Sequence, residues 1–398
     1  MNRYRFIILL LGCLCCFWVI DPAHSQQPEE HFSCEIEGSN SDILHSSALL
    51  RSGTFPDALA GQADMSFVGN REIRVVFHFV NSISSPTPKN FRAVAPPGEI
   101  DGYEYSRRIL ALANTGDNAT MNLPLGNQTP VLPPRYRLVL SGVYFHEEDN
   151  PDGGFFGKYD VCSGEVVNVY FVPRKGKNNR TGVANMEGPY RRAHIYGAYE
   201  RYTSDLPFEQ MGEKVYGYAV YAWALMHEVG HNLGLHHTVL YSGGQKPPKF
   251  DQYGNVIEIE DYCEDTPTWR EVVQSCDTIG LDKWAPPFGS CATNNMMDYN
   301  GFFVLTPEQI NRIHYGLQTI TKSYLTTSFK TEHKEFGSTD GPSNTVVSKK
   351  ITIPRGASIS VGKGENLILN ARGVEINGAI DIGEGGWFEI QPSPISSK

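Results

Sequence analysis

The stretch His227-Glu228-Val229-Gly230-His231-Asn232-Leu233-Gly234-Leu235-His236-His237 decides how this chain is read. On a helix, residues four apart share a face, so His227 and His231 present two imidazoles to one point. Gly234 can take the φ > 0 conformation that ends a helix and turns the chain back, bringing His237 to the same point. Three neutral imidazoles around one ion leave a fourth position for water. Glu228, one residue from a ligand, can take that water's proton as it attacks a carbonyl. The spacing therefore predicts one catalytic Zn2+ on His227, His231 and His237, with Glu228 as general base. With 12 His, 39 Gly and 44 acidic residues in 398, the chance occurrence of this pattern is on the order of 10⁻⁴. His236 falls one residue short of the spacing and reads as part of a cleft wall.

Upstream, Val215, Tyr218, Ala222, Leu225 and Val229 recur at three- and four-residue steps, and Val220 and Ala224 make a second apolar side. A helix apolar on two sides is buried, so His227 and His231 must face an internal site. The runs Ile73–Val80, Arg137–Phe145 and Val166–Val172 are rich in β-branched and aromatic residues and predict buried strands. Gly102–Asn114 has helical spacing. Downstream, Thr306-Pro307-Glu308-Gln309 offers an N-cap threonine, a first-turn proline and a capping-box glutamine. The fold class is α/β (α+β): a twisted mixed sheet with helical cover and an active-site helix. After about residue 335, short apolar pairs recur between glycines, at Leu367/Leu369, Val374/Ile376, Ile380/Ile382 and Phe388/Ile390. These read equally as coils of a small β-solenoid or as an antiparallel β-appendage.

At the N-terminus, Arg3 and Arg5 precede the apolar run Phe6–Ile20, and Ala23-His24-Ser25 supplies small residues before Gln26. Residues 1–25 therefore read as an export signal, which predicts a secreted, extracellular or periplasmic protein. Leu10-Leu11-Gly12-Cys13 resembles a lipoprotein box but sits mid-run, so lipid anchoring is the minor alternative. No later segment approaches the roughly 20 apolar residues of a spanning helix. Residues 26–70 are polar and read as a propeptide or flexible arm. With 34 Lys and Arg against 44 Asp and Glu, the net charge of -10 repels phosphate backbones and argues against nucleic acid as a partner. Removing the signal leaves Cys34, Cys162, Cys263, Cys276 and Cys291. The last three, close in sequence, suggest a local disulfide. Cys34 reads either as a disulfide partner of Cys162 or as a thiolate that fills the fourth zinc position in a latent precursor.

The histidine motif, followed by Asn294-Asn295-Met296-Met297-Asp298-Tyr299, resembles the signature of metzincin metallopeptidases. The likeness extends to the pappalysin family and its ulilysin-like and cytophagalysin-like secreted bacterial members. It rests also on the strand Ile73–Val80, on Asp265-Thr266-Pro267 and on Leu305–Gln309, and so covers about 71–325. The resemblance implies a catalytic domain at 71–330, an upper subdomain at 71–237 and an irregular lower one at 238–330. Beyond it lies a linker and β-rich extension at 331–398. It implies Met297 as a hydrophobic floor under the metal, Tyr299 as a donor to the oxyanion, and a strand near Ala193–Tyr199 as the edge that aligns substrate. The stretch Asp261–Pro267 matches a segment that can bind Ca2+ through Asp261, Asp265 and Thr266, and reads equally as an acidic packed loop. Relatives carry an Asp-Cys pair just after the turn. This chain has Asn300-Gly301-Phe302-Phe303 there, which implies an apolar pocket for the residue after the scissile bond.

The function expected is a secreted zinc endopeptidase acting on protein or peptide substrates, with oligomeric state left open. A zinc hydrolase of non-peptide substrates and a surface adhesin with a vestigial peptidase domain are the rival readings.

Overall fold

The computed structural model describes residues 33–37, 70–83, 90–115, 121–123, 127–129, 133–148, 157–173, 180–185, 191–203, 211–238, 263, 265, 266, 295–297, 303–318, 321–336 and 344–392. The first half contains β1 (Ser33–Glu37), β2 (Arg71–Ser82), α1 (Gly102–Asn114), the hairpin β3 (Met121–Leu123) and β4 (Asn127–Thr129), β5 (Tyr136–Glu148), β6 (Val167–Val172), β7 (Arg180–Asn185) and β8 (Arg192–Tyr196). Next come α2 (Ala198–Thr203), α3 (Met211–Asn232) and α4 (Pro307–Gln318). The C-terminal strands are β9 (His333–Glu335), β10 (Asn344–Val347), β11 (Lys350–Ile353), β12 (Ser358–Val361), β13 (Asn366–Ala371), β14 (Gly373–Ile376), β15 (Ala379–Ile382) and β16 (Trp387–Pro392). The predicted signal segment, 1–25, lies outside the described residues. None of the described helices is long and apolar enough to cross a membrane.

Strand β2 is buried from Ile73 to Asn81, as a strand covered on both faces must be. Ile73, Val75, Phe77 and Phe79 face one side, where they pack with Tyr105 and Ile109 of α1 and Leu225 and Val229 of α3. Asp101 caps α1 by accepting from the Glu104 N–H at 2.8 Å. Val76 faces the other side, in a cluster with Tyr144, Val166 and Val347. The sheet order is β1-β7-β8-β6-β2-β5, mixed as expected: β5, β2, β6 and β8 run parallel, and β7 returns antiparallel to β8. The strand at Ala193–Tyr196 is therefore internal, contrary to the edge role expected for it. The edge of the returning hairpin is β7, and β1 pairs with it in parallel, Cys34 opposite Gly182. On β2, the fully buried Arg74 donates to the carbonyls of Ser323, Thr326 and Ser328 at 3.3, 3.0 and 3.0 Å, stapling the segment after α4 to the sheet.

The C-terminal strands pair only in parallel, in three stacks: β10-β13-β16, β14-β11-β9 and β12-β15. Of the two readings, this is the solenoid. Ile351 stacks on Val374, Ile359 on Ile380 and Leu367 on Phe388, forming a small core of its own. Three side chains tie this unit to the outer strand of the sheet. The Thr345 hydroxyl donates to Ser141 O at 2.6 Å, Asn366 Nδ2 to Val143 O at 2.6 Å and Gln391 Nε2 to Leu140 O at 2.5 Å. From His31 to Lys398 the chain is one contact unit, so the extension is an integral part of the fold.

A buried histidine pair spans β2 and β5. Asn168 donates through Nδ2 to Val161 O, so its Oδ1, 2.9 Å from His78 Nε2, accepts from that ring. His78 Nδ1 is then the acceptor for His146 Nε2 at 2.9 Å. Burial pushes His78 down to about 3 and His146 down to about 4. Both folded values lie below the ordinary 6.5, so the unfolded chain takes up protons first on acidification. The stability these rings contribute is present above about pH 6.5 and lost as pH falls toward 4 and then 3. Thermal unfolding followed by circular dichroism between pH 7 and 4 is expected to show a steeper loss of Tm in the native protein than in a His78→Leu/His146→Leu variant. Parallel slopes would remove the pair from the acid response.

Candidate metal centre

Every residue of α3 from Val220 to Asn232, and Leu233 beyond it, is buried, as two apolar sides demand. The helix ends in a Schellman turn. Gly234, at φ +98, donates its N–H to His231 O at 2.9 Å, and Leu235 N–H donates to Gly230 O at 3.0 Å. The turn aims Leu235 O back at the helix, where it lies 2.8 Å from His231 Nδ1. It also carries His237 into contact with the helical pair. The Nε2 atoms of His227, His231 and His237 meet at 3.0 to 3.2 Å from one another. Tetrahedral ligands at zinc-like bond lengths stand about 3.4 Å apart, close to this spacing.

The tautomers follow from the hydrogen bonds. His227 Nδ1 lies 2.8 Å from Met296 O and His231 Nδ1 2.8 Å from Leu235 O, so both Nδ1 atoms carry the proton. Their Nε2 lone pairs then point at each other and at His237, an arrangement that a cation can satisfy. Burial pushes His227 down to about 4, and holds His231 and His237 well below the ordinary range. All three are thus neutral ligands at pH 7. Among the described residues they are the one group of three or more metal-ligating side chains close enough to share an ion.

The turn at Asn295–Met297 supports the helix from below. Met296 O accepts from Trp223 Nε1 at 3.1 Å as well as from His227. Met297 is fully buried, and a β-carbon at Gly230 would lie 2.9 Å from its Sδ. Met297 thus packs against the helix at Gly230, one residue from His231. Glu228 is 1% exposed and lies against β7, where a β-carbon on Gly182 would fall 2.0 Å from Glu228 Oε1. Only glycine leaves room there for the carboxylate.

The other expected residues fall as follows. Tyr299, Asp298, Phe302 and Asp261 lie outside the described residues. Phe303 is half-buried against the main core. Asp265 Oδ2 accepts from Glu308 N–H at 2.9 Å and so caps α4, while the Thr266 hydroxyl donates to Cys263 O at 2.8 Å. His236 stands apart from the trio, beside Arg312; desolvation and that charge push it down to about 3. The Cys34–Cys162 disulfide does not form. Cys162 donates its thiol to Thr345 O at 3.1 Å, and β1 is three strands from β6, about 14 Å at ordinary strand spacing. Cys263 is buried, and Cys276 and Cys291 lie outside the described residues. Four residues at the site were not anticipated: Gly182, which offers no side chain to notice, Trp223, Asn295, and Gln309 beyond its capping role. No protein-family model and no curated protein matches this chain.

Equilibrium dialysis against Zn2+ or Co2+ is expected to give one ion per chain. Each of His227→Ala, His231→Ala and His237→Ala should abolish stoichiometric binding. A variant that still retained one ion per chain would take its histidine out of the ligand set.

Proposed function

We propose that this chain is a secreted zinc endopeptidase of the metzincin type, most similar to pappalysins. The convergence of three neutral imidazole Nε2 atoms beside the buried Glu228 is the observation that carries the reading. Zn2+ held by His227, His231 and His237 would supply Lewis acidity for a carbonyl and acidify a water. Glu228 takes the proton of the attacking water and hands it to the leaving amine as the peptide bond breaks. Tyr299, by the resemblance, donates a hydrogen bond to the developing oxyanion. The apolar pocket implied by Phe302 and Phe303 favours an apolar residue after the scissile bond, and a bound Ca2+ near Asp265 remains part of the same resemblance.

The extended substrate pairs with the outer edge of β7, the strand carrying Gly182 against Glu228. In the full chain β1 takes that edge, with Cys34 in register with Gly182. This supports reading residues 26–70 as a propeptide that covers the site, and Cys34 as its latency switch.

Two experiments test the reading. Mature protein incubated with casein should cleave it in a chelator-sensitive manner. Glu228→Gln should keep its metal while losing roughly 10²- to 10⁴-fold in rate. Activity within tenfold of the native enzyme would contradict the base assignment. For latency, the uncut precursor carrying Cys34→Ala should cleave peptide before any processing. A precursor that stays silent leaves the arm as steric cover alone.

A further inference from the structure

We infer that Asn295 and Gln309 form a positioning pair that sets the orientation of the ligand His227 through one peptide plane. The inference rests on reading the histidine trio as a metal site. Both side chains are buried, at 0% and 1% exposure. Asn295 Nδ2 donates to Gln309 Oε1 at 2.7 Å, and Gln309 Nε2 donates back to Asn295 Oδ1 at 3.2 Å. The two carboxamides thus face each other and fix each other's orientation.

The pair is anchored at one end and acts at the other. Gln309 Oε1 also accepts from Thr306 N–H at 3.0 Å, the return bond of the capping box that starts α4. Asn295 Oδ1 also accepts from Met297 N–H at 2.8 Å. That N–H belongs to the same peptide unit as Met296 O. A trans peptide is planar, with its N–H and C=O pointing in opposite directions, so holding one end aims the other. The aimed carbonyl accepts from His227 Nδ1 at 2.8 Å, which fixes that ring's tautomer and plane. Trp223 Nε1 donates to the same carbonyl at 3.1 Å, and Met296 N–H, in the preceding peptide unit, donates to Val304 O at 2.7 Å, so both also hold the turn in place. A cap on one helix is thereby connected to a ligand on another.

The test compares metal binding with fold stability in the full chain, using Co2+ so that the visible spectrum reports the ligand geometry. Zn2+ and Co2+ affinities come from competition with a chromophoric chelator, and Tm from calorimetry of the metal-free protein. Asn295→Ala and Gln309→Met should weaken metal affinity roughly 10- to 100-fold and shift the Co2+ absorption bands. Gln309→Glu keeps both acceptor bonds, including the cap, but puts an oxygen where Nε2 donates to Asn295 Oδ1, and should weaken affinity less than Gln309→Met does. Thr306→Ala removes the side-chain cap of the same helix without touching the amide pair. It should lower Tm and leave the affinity and spectrum unchanged. Native affinity and spectrum in Asn295→Ala and Gln309→Met would overturn the inference, as would an equal loss of affinity in Thr306→Ala. If Asn295→Ala fails to fold, Asn295→Asp removes only the donor to Gln309, and an unaltered affinity and spectrum there would overturn it too. Failure of the native protein to bind either ion would instead refute the metal reading itself.

Discussion

Three imidazole lone-pair sites facing one another inside an apolar core are the constraint around which this molecule is arranged. Each ring is desolvated enough to be neutral, so no ring charge holds the cluster together. Two of the three Nε2 atoms are lone-pair acceptors because their Nδ1 protons are already given to carbonyls. Backbone carbonyls, not charges, orient these two rings, so the arrangement is as stiff as the segments that carry those carbonyls.

That stiffness comes from chain segments far apart in sequence. From Val220 to Asn232, helix α3 lies between the sheet on one side and the Asn295–Met297 turn with α4 on the other, and every residue of that stretch is buried. Each polar group it carries into this environment needs a partner, and the partners are carbonyls whose positions are set elsewhere. Leu235 O is placed by the Schellman turn four residues on. Met296 O is placed by a turn that is itself tied to α4, and α4 is tied to the sheet through Arg74 and the segment that follows the helix. Loosening any of these ties has a path to the ligand rings.

The features legible in the sequence are those encoded by local spacing. The i, i+4 histidines, the glycine that ends the helix, the Thr306–Gln309 box and the buried runs of β2, β5 and β6 all depend on a few neighbouring residues. What depended on pairing between distant segments was not legible. Ala193–Tyr196 has the composition of a strand, but its place inside the sheet is settled by β7, whose Thr181-Gly182-Val183-Ala184 core is too small and weakly apolar to announce itself. Period-two alternation beyond residue 335 is the same for parallel and antiparallel neighbours, so it could not choose the solenoid. Gln309 already had a complete local explanation as a cap. Nothing in sequence links it to Asn295, and only the fold brings the two amides together.

The two edges of the main sheet are closed by different chemistry, and the difference bears on the proposed function. At β5 the closure is made by side chains: Thr345, Asn366 and Gln391 each donate to one carbonyl, so only a surface carrying those three residues at that spacing fits. At β7 the closure is a main-chain ladder from β1. Main-chain pairing places little demand on which side chains are present, so an edge able to accept residues 33–37 can accept any extended segment that reaches it. Side-chain closure is specific to one partner, whereas ladder closure is exchangeable. The exchangeable edge is the one that carries Gly182 against Glu228, the residue next in sequence to His227. On the proposed reading, the edge that exchanges segments is β7, and the closure specific to one partner is on the opposite edge, at β5.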